Sequence, residues 1–290
     1  APVFPVKAFA RYVPERLDDF AWENDRIAHR LYGPALAAPS EPAGTKEVLV
    51  TSGVDVWCKR VRYPIVDRWY NKGHDHYHTD EGEGMDTYSV GTARGCGGTG
   101  VWDGSRLHVG RNYKTWRVIA NGPVRAVFEL PFDTWAAGGV FVSETKRYTV
   151  DAGHNLDRVE STFTTSGKSP ELTVAIGIVR DPTDKRKQPQ IDFTPVAAAG
   201  SLAQWTAESV NGDLGVAVIV PGPEFGGYAE DDVNQRVLAK VTAGKPVTFY
   251  AGAGWSRSGD FPTRQSWLDY VAACAARVRS PIRITTETAK

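Results

Sequence analysis

From Gly97 onward the chain falls into apolar-containing runs of strand length, each bounded by Gly, Pro, Asn or Asp. The runs are YKTWRVIA (113–120), VRAVFELPF (124–132), VFVSETKRYTV (140–150), LDRVESTFTT (156–165) and ELTVAIGIV (171–179). LGVAVIV (214–220), VLAKVT (237–242), VTFYAGAGW (247–255) and PIRITTET (281–288) continue the pattern. In GVWDGSRLHV (100–109), Asp103-Gly104 sits between two apolar-flanked arms, which signals a hairpin. The early runs recur every ten to seventeen residues or so, a spacing that fits antiparallel strands and not βαβ units. One helix is predicted in DFPTRQSWLDYVAACAARVRS (260–280): Asp260 or Thr263 caps it, and Leu268, Val271, Ala275 and Val278 share a face.

The first third is less regular. KAFARYVPERLDDFAWEN (7–24) and RIAHRLYG (26–33) alternate briefly and read as strands, followed by a loop rich in Pro, Ala and Gly (33–47). Residues 53–98 show little periodicity and are expected to be a long functional loop region. These patterns predict an all-β chain with a single domain over 1–290. The expected form is a large antiparallel two-sheet supersandwich with an irregular N-terminal lobe and one C-terminal helix.

Composition narrows the partners. Lys+Arg and Asp+Glu number 34 each in 290 residues, so charge gives no reason to expect nucleic acid or an anionic membrane. No apolar run approaches the roughly 20 residues of a membrane helix. Nine Trp and eleven Tyr supply flat faces with polar edges, suited to sugar rings as well as to cores. Cys58, Cys96 and Cys274 lack CxxC spacing, which argues against a zinc site; three buried thiols, or one disulfide and a free thiol, remain open. The chain opens without Met, as a mature secreted chain does; a trimmed chain begins the same way.

Chemistry concentrates in NKGHDHYHTDEGEGMD (71–86), which holds three of the six histidines, His74, His76 and His78. If the segment is extended, their side chains share one face. His76 and His78 with Asp80, Glu81 or Glu83 are a candidate divalent metal set; the same groups can serve as general acid and base. The plain alternative is an exposed polar loop without a role. GTARGCGGTGVWDG (91–104) lacks the GxxxxGK[ST] pattern and a following helix, so nucleotide binding is excluded; Arg94 there can hold a carboxylate through two hydrogen bonds or form a structural ion pair. In WCKRVRYPIVDRWY (57–70), Lys59, Arg60, Arg62 and Arg68 interleave with Trp57, Tyr63, Trp69 and Tyr70, a pattern that suits an acidic sugar or simple core packing. YAGAGWSRSGDF (250–261) presents Trp255, Arg257 and Asp260 at the rim of a cleft or buries Trp255 under the helix. Glu129, Glu144, Arg147, Arg158 and Glu160 lie in strands and line either a solvated sheet face or a groove. No GxSxG, SxxK or protease-type Cys is present, so covalent catalysis is not expected.

FARYVPERLDDFAWENDRIAHRLYGPAL (9–36), GVDVWCKRVRYPIVDRWY (53–70), HTDEGEGMDTYSVGTARGCGG (78–98), KTWRVIANGPVRAVFEL (114–130) and GAGWSRSGDF (252–261) together resemble the bacterial family catalogued as domain of unknown function 4861. The resemblance spans nearly the whole chain. It implies a secreted or periplasmic protein of polysaccharide-degrading systems and a galactose mutarotase-like supersandwich. That fold serves epimerases, glycoside hydrolase domains and polysaccharide lyases alike, and it carries no catalytic residue over.

The expected function is a carbohydrate-active enzyme on uronic-acid-containing plant or algal saccharides, working as a lyase by β-elimination. His76 or His78 would be the base, and Tyr77 or Tyr88 the acid or second base. Arg94, Arg60 or Arg257 would clamp the carboxylate, with Trp69 and Trp255 stacking on the sugar and His74 binding it. Hydrolysis by the pair Glu83 and Asp86, mutarotation or epimerisation, and a non-catalytic carbohydrate-binding module are the alternatives. No cofactor is expected; a metal at His76, His78 and Asp80 is the minority expectation. The partner is an oligosaccharide or polysaccharide, and oligomeric state has no sequence signal.

Overall fold

The structure, a computed structural model, describes residues 4–167, 171–182, 190–196, 200–208, 210–282 and 285. In chain order the elements begin with β1 (Ala8–Val13), β2 (Asp19–Asn24), β3 (Ile27–Leu31), α1 (Pro34–Ala37), β4 (Val54–Lys59), α2 (Val66–Lys72), α3 (His74–Tyr77) and β5 (Gly84–Asp86). There follow β6 (Cys96–Trp102), β7 (Leu107–His108), β8 (Arg117–Asn121), β9 (Arg125–Ala137), β10 (Val140–Asp151), β11 (Leu156–Ser166), β12 (Glu171–Val179), β13 (Gln190–Pro195) and β14 (Ser201–Ala207). The last are β15 (Leu214–Ile219), β16 (Phe225–Glu230), β17 (Asn234–Thr242), β18 (Pro246–Trp255) and α4 (Arg264–Arg279).

An eight-stranded sheet, ordered β13-β14-β15-β18-β11-β10-β9-β8, is the base of an all-β sandwich. Two five-stranded sheets lie on its inner face: β16-β17-β12-β6-β7 and the meander β1-β2-β3-β4-β5. Alternation along the strands explains the packing. In β9 and β10 the residues Phe128, Leu130, Tyr148 and Val150 point inward with Val159, Phe163 and Phe249, and Trp22 of β2 packs at a tilt on both Phe128 and Tyr148. The opposite face carries Glu129 between Arg117 and Arg147 and the Arg158–Glu160 pair, a solvated face. Of the five charges singled out in these strands, Glu144 is the exception. Its even position points it into the core, where Thr99 and Ser161 donate to it.

Helix α4 covers part of that outer face, burying Trp267, Val271, Cys274 and Ala275 on Ala203, Trp205, Ala217 and Ile219. Thr263 is its cap, in a reciprocal box with Ser266; Asp260 pairs with Arg26 and Arg62 instead. The Asp103-Gly104 turn joins β6 to β7 as expected. All three cysteines are buried free thiols. The expected strand at 281–288 lies mostly outside the described residues. Among the described residues no helix is long and apolar enough to cross a membrane.

Residues 53–98 are not the long loop that their weak periodicity predicts. They hold β4, β5, two short helices and the start of β6, and β4 is lined by apolar residues on one side and by Asp55, Trp57 and Lys59 on the other, with both sides covered. A strand covered on both faces loses the alternation that marks a half-exposed one. Gly95, at φ +58°, lets the chain turn against β4; a Cβ there would collide with the Val54 carbonyl.

A cleft over the outer face of the N-terminal meander

The meander turns Phe20, Trp22, Leu31, Val56 and Met85 toward the core and the alternate residues away from it. Those alternate residues are mostly charged: Asp19 and Glu23, Arg30, Asp55 and Lys59, and Asp86. All are buried, because α2 and α3 fold back across them through Ile65, Val66, Trp69, Tyr70 and Tyr77. Glu23 pairs with Lys59 at 2.6 Å and accepts the Ile65 and Val66 amides at the start of α2. Gly73, at φ +96°, breaks the chain between the two helices.

At one margin of this cover lies a cleft of about 990 Å³. Its lining includes Arg16, Arg30, Tyr32, His74, His78, Asp86 and Tyr88 on one side and Asp181, Asn211 and Asp232 on the other. The outer groups come from the ends of β12, the β14–β15 turn and the β16–β17 turn, so the cleft lies where the meander meets the neighbouring five-stranded sheet.

The histidine triplet does not share a face. The segment is helical, so the period is 3.6 and not 2: the His74 and His78 rings meet, tilted, at 4.4 Å between centroids, while His76 points away and pairs with Glu81 at 2.9 Å. His78 Nδ1 lies 2.8 Å from the His74 carbonyl oxygen. A carbonyl only accepts, so Nδ1 carries the hydrogen and Nε2 is the basic atom of the neutral ring. Nε2 is 3.5 Å from Asp86 Oδ2. Burial lowers the His78 pKa, and the neighbouring His74 and Arg30 charges add to that fall. Burial raises Asp86 well above the usual carboxylate range, with Asp55 adding to the rise and Arg30 opposing it. The two pKa values therefore move toward each other, the condition for a pair that shares a proton.

Behind this pair, Arg30 donates to Asp55 at 2.7 Å and Asp86 at 3.1 Å, with Asp19 at 3.4 Å. Burial opposes the charge on Arg30, but the three carboxylates outweigh it. Burial lifts Asp19 to about 6 against the pull of Arg30 and Arg16. Tyr77 is buried under the two histidines. Its hydroxyl oxygen lies 3.4 Å from Arg30 Nη1 and 3.5 Å from Arg16 Nε, both of which donate to it. Trp57 Nε1 donates to Asp86 and the Tyr88 amide to its other oxygen, fixing that carboxyl.

Of the predicted site residues, His74, Tyr77, His78, Asp86 and Tyr88 gather here. Burial holds the Tyr88 phenol well above its ordinary pKa, with Cys96 and Asp55 adding, so Tyr88 is no base. The others fall elsewhere. Glu83 is held by Tyr63, Arg68, Trp69 and Lys72; burial works against its charge, but these partners outweigh it and keep its pKa low, so it is neither a general acid nor a partner of Asp86. Arg94 is buried beneath β6 and donates to Ser52 and the Thr92 carbonyl, and Gly177 has no Cβ to leave room for it. Burial lowers its pKa to about 10, with Glu144 opposing and Arg236 adding to the fall. Arg60 and Arg257 both lie on Asp80, at 3.0 and 3.6 Å, outside the cleft lining. Trp69 and Trp255 are buried, packing on Trp57 and donating to the Asn211 carbonyl respectively, so neither offers a sugar a face. His76 and Asp80 turn to other partners and do not meet His78; among the described residues no group of three or more His, Cys, Asp or Glu is placed to hold a metal.

Arg16, Arg30, Tyr32, Asp19 and Asp55 complete the site and were not anticipated. The available signal was charge on alternate positions of β2, β3 and β4, DxAxE, AxR and DxWxK. Alone, that pattern reads as a solvated face.

The chain matches the family described as Domain of unknown function (DUF4861) over residues 2–284. It belongs to this family. It is 31% identical over 293 residues to "Uncharacterized protein P7" of Formosa agariphila, a match that covers 97% of this chain and 70% of that protein. Among solved structures, a putative kojibiose phosphorylase from human microbiome aligns with a TM-score of 0.47 at 8% identity, covering 96% of this chain and 37% of that one. The GH36 α-galactosidase AgaB from Geobacillus stearothermophilus aligns with a TM-score of 0.38 at 9% identity, covering 86% of this chain and 41% of that one. This DUF4861 chain thus spans well under half the length of those two proteins.

Proposed function

We propose that this DUF4861 protein is a secreted or periplasmic carbohydrate-active enzyme that moves a proton on a uronic-acid-containing saccharide bound in the cleft, with β-elimination as its reaction. One observation carries the reading: the Tyr77 hydroxyl, held by the guanidinium groups of Arg16 and Arg30, lies beside the His78–Asp86 pair, and Arg16, Arg30, His78 and Asp86 all line the cleft. His78 Nε2 takes the C5 proton of the uronate. The electron pair left on C5 forms the C4–C5 double bond as the C4–O bond breaks, and the Tyr77 hydroxyl gives its proton to the departing oxygen. Water then returns the proton from His78 to Tyr77. Arg16 and Arg30, which both donate to the Tyr77 hydroxyl oxygen, face the negative charge that develops there. Arg16, whose partner Glu47 is exposed, is the guanidinium free to meet the substrate carboxylate; Arg30 is already engaged by three aspartates.

A second reading rests on the balance of charge in the cleft. Glu47, Asp181 and Asp232 line it against Arg16 and Arg30, which favours a neutral sugar, hydrolysed with Asp86, whose pKa burial raises, as the acid. Product analysis separates the two. Incubation with pectic, glucuronan and alginate oligosaccharides should yield near-ultraviolet absorbance from an unsaturated uronate, and Tyr77→Phe should remove it. New reducing ends without that absorbance support hydrolysis; binding with neither product leaves a binding module.

A further inference from the structure

A second concavity, of about 340 Å³, lies on the far side of the sandwich, between the outer face of the eight-stranded sheet and the last turns of α4. Its charge is opposite to that of the cleft. Arg125, Arg158 and Arg277 line it with His154, against the single carboxylate of Asp151; Tyr250 and Leu156 supply the apolar part. Arg125 is engaged by Asp151 and Arg158 by Glu160. Arg277 reaches only the Cys274 sulfur, at 2.9 Å, and no carboxylate pairs with it among the described residues. An exposed guanidinium that lines one groove with a tyrosine and a threonine suits a pyranose that carries a carboxylate: the sugar ring would meet Tyr250, and the carboxylate would accept two hydrogen bonds from Arg277.

We propose that this groove is a second, non-catalytic binding site for uronate units of the saccharide chain. It captures the anionic polymer on the face away from the cleft, whose own lining is acidic. The inference rests on the uronate reading of the substrate given above.

The test uses the full chain and a galacturonate trisaccharide titrated by calorimetry into wild type and Arg277→Ala. Arg277 is on the helix surface, so the variant should fold, and an unchanged melting temperature confirms it. The expected result is loss of one of two binding events, or at least a tenfold weaker one, while turnover of a short oligosaccharide is unchanged and kcat/KM on the polymer falls. The wild-type event should weaken with salt. Unchanged stoichiometry and affinity in Arg277→Ala would overturn the proposal, as would equal binding of a neutral trisaccharide or displacement by an equal concentration of inorganic phosphate. If Arg277-dependent binding persists in a protein that turns over no uronate, the groove stands and the catalytic reading falls; turnover with no such binding has the reverse meaning.

Discussion

Asp19, Asp55 and Asp86 converge on one buried guanidinium, that of Arg30. A cation so placed holds its surroundings together because removing it leaves buried carboxylates facing each other without compensation. Arg30→Met should therefore destabilise the fold by about 3–5 kcal/mol in urea unfolding at pH 8, and by less at pH 5, where the carboxyls take up protons. His78 is different: its side chain is 41% exposed, so it can be changed without disturbing the core. Burial lowers its pKa, and a base works only when neutral. The rate should hold steady through neutral pH and decline only as pH falls through a value below the ordinary histidine figure of about 6.5. At this scale the sequence was half legible. A dense run of histidines and carboxylates announced itself at 71–86, whereas Arg30 and Asp55 are single charges inside strands, and nothing local distinguishes a covered charge from a solvated one.

Among the elements, α3 shows why local patterning misassigns faces. HxHxH fits either an extended segment or a helical turn, and the choice was made by packing: Tyr77 is drawn under Trp57 and Tyr70, which forces the turn and sends His76 outward. The same packing removed Trp69 from any sugar. Helix α4 was legible because its apolar face and its cap are local; Thr263→Ala should cost about 1 kcal/mol in thermal or urea unfolding. Between the meander and β11, Asp157 lies 3.8 Å from His29 and accepts from Trp22 Nε1. Burial raises Asp157 to about 7 and lowers His29 to about 4. For Asp157 the folded value lies above the unfolded one of about 3.9, so its contribution is full below that value and lost as pH rises toward 7. His29 acts in the opposite sense, losing stability as pH falls from about 6.5 toward 4. Asp157→Asn should thus gain stability relative to wild type between pH 5 and pH 8, read as the difference in melting temperature; an unchanged difference would remove Asp157 from the balance.

For the molecule as a whole, the strands of the eight-stranded sheet were readable because one of its faces is wet over most of its area, and alternation survives there. The N-terminal meander is covered on both faces, by the core on one side and by α2 and α3 on the other, and its strands lost that signature. With three free thiols and no disulfide among them, the fold rests on its core alone, and a reducing agent should leave the melting temperature where it is. The cleft owes its place to the junction of two sheets, a long-range feature that no single segment encodes. Its function is tested most directly by following near-ultraviolet absorbance as uronate oligosaccharide is consumed by wild type and by His78→Asn. The account predicts an unsaturated product from wild type and a rate lower by about 10²–10⁴-fold in the variant at an unchanged melting temperature; equal rates from the two proteins would contradict it.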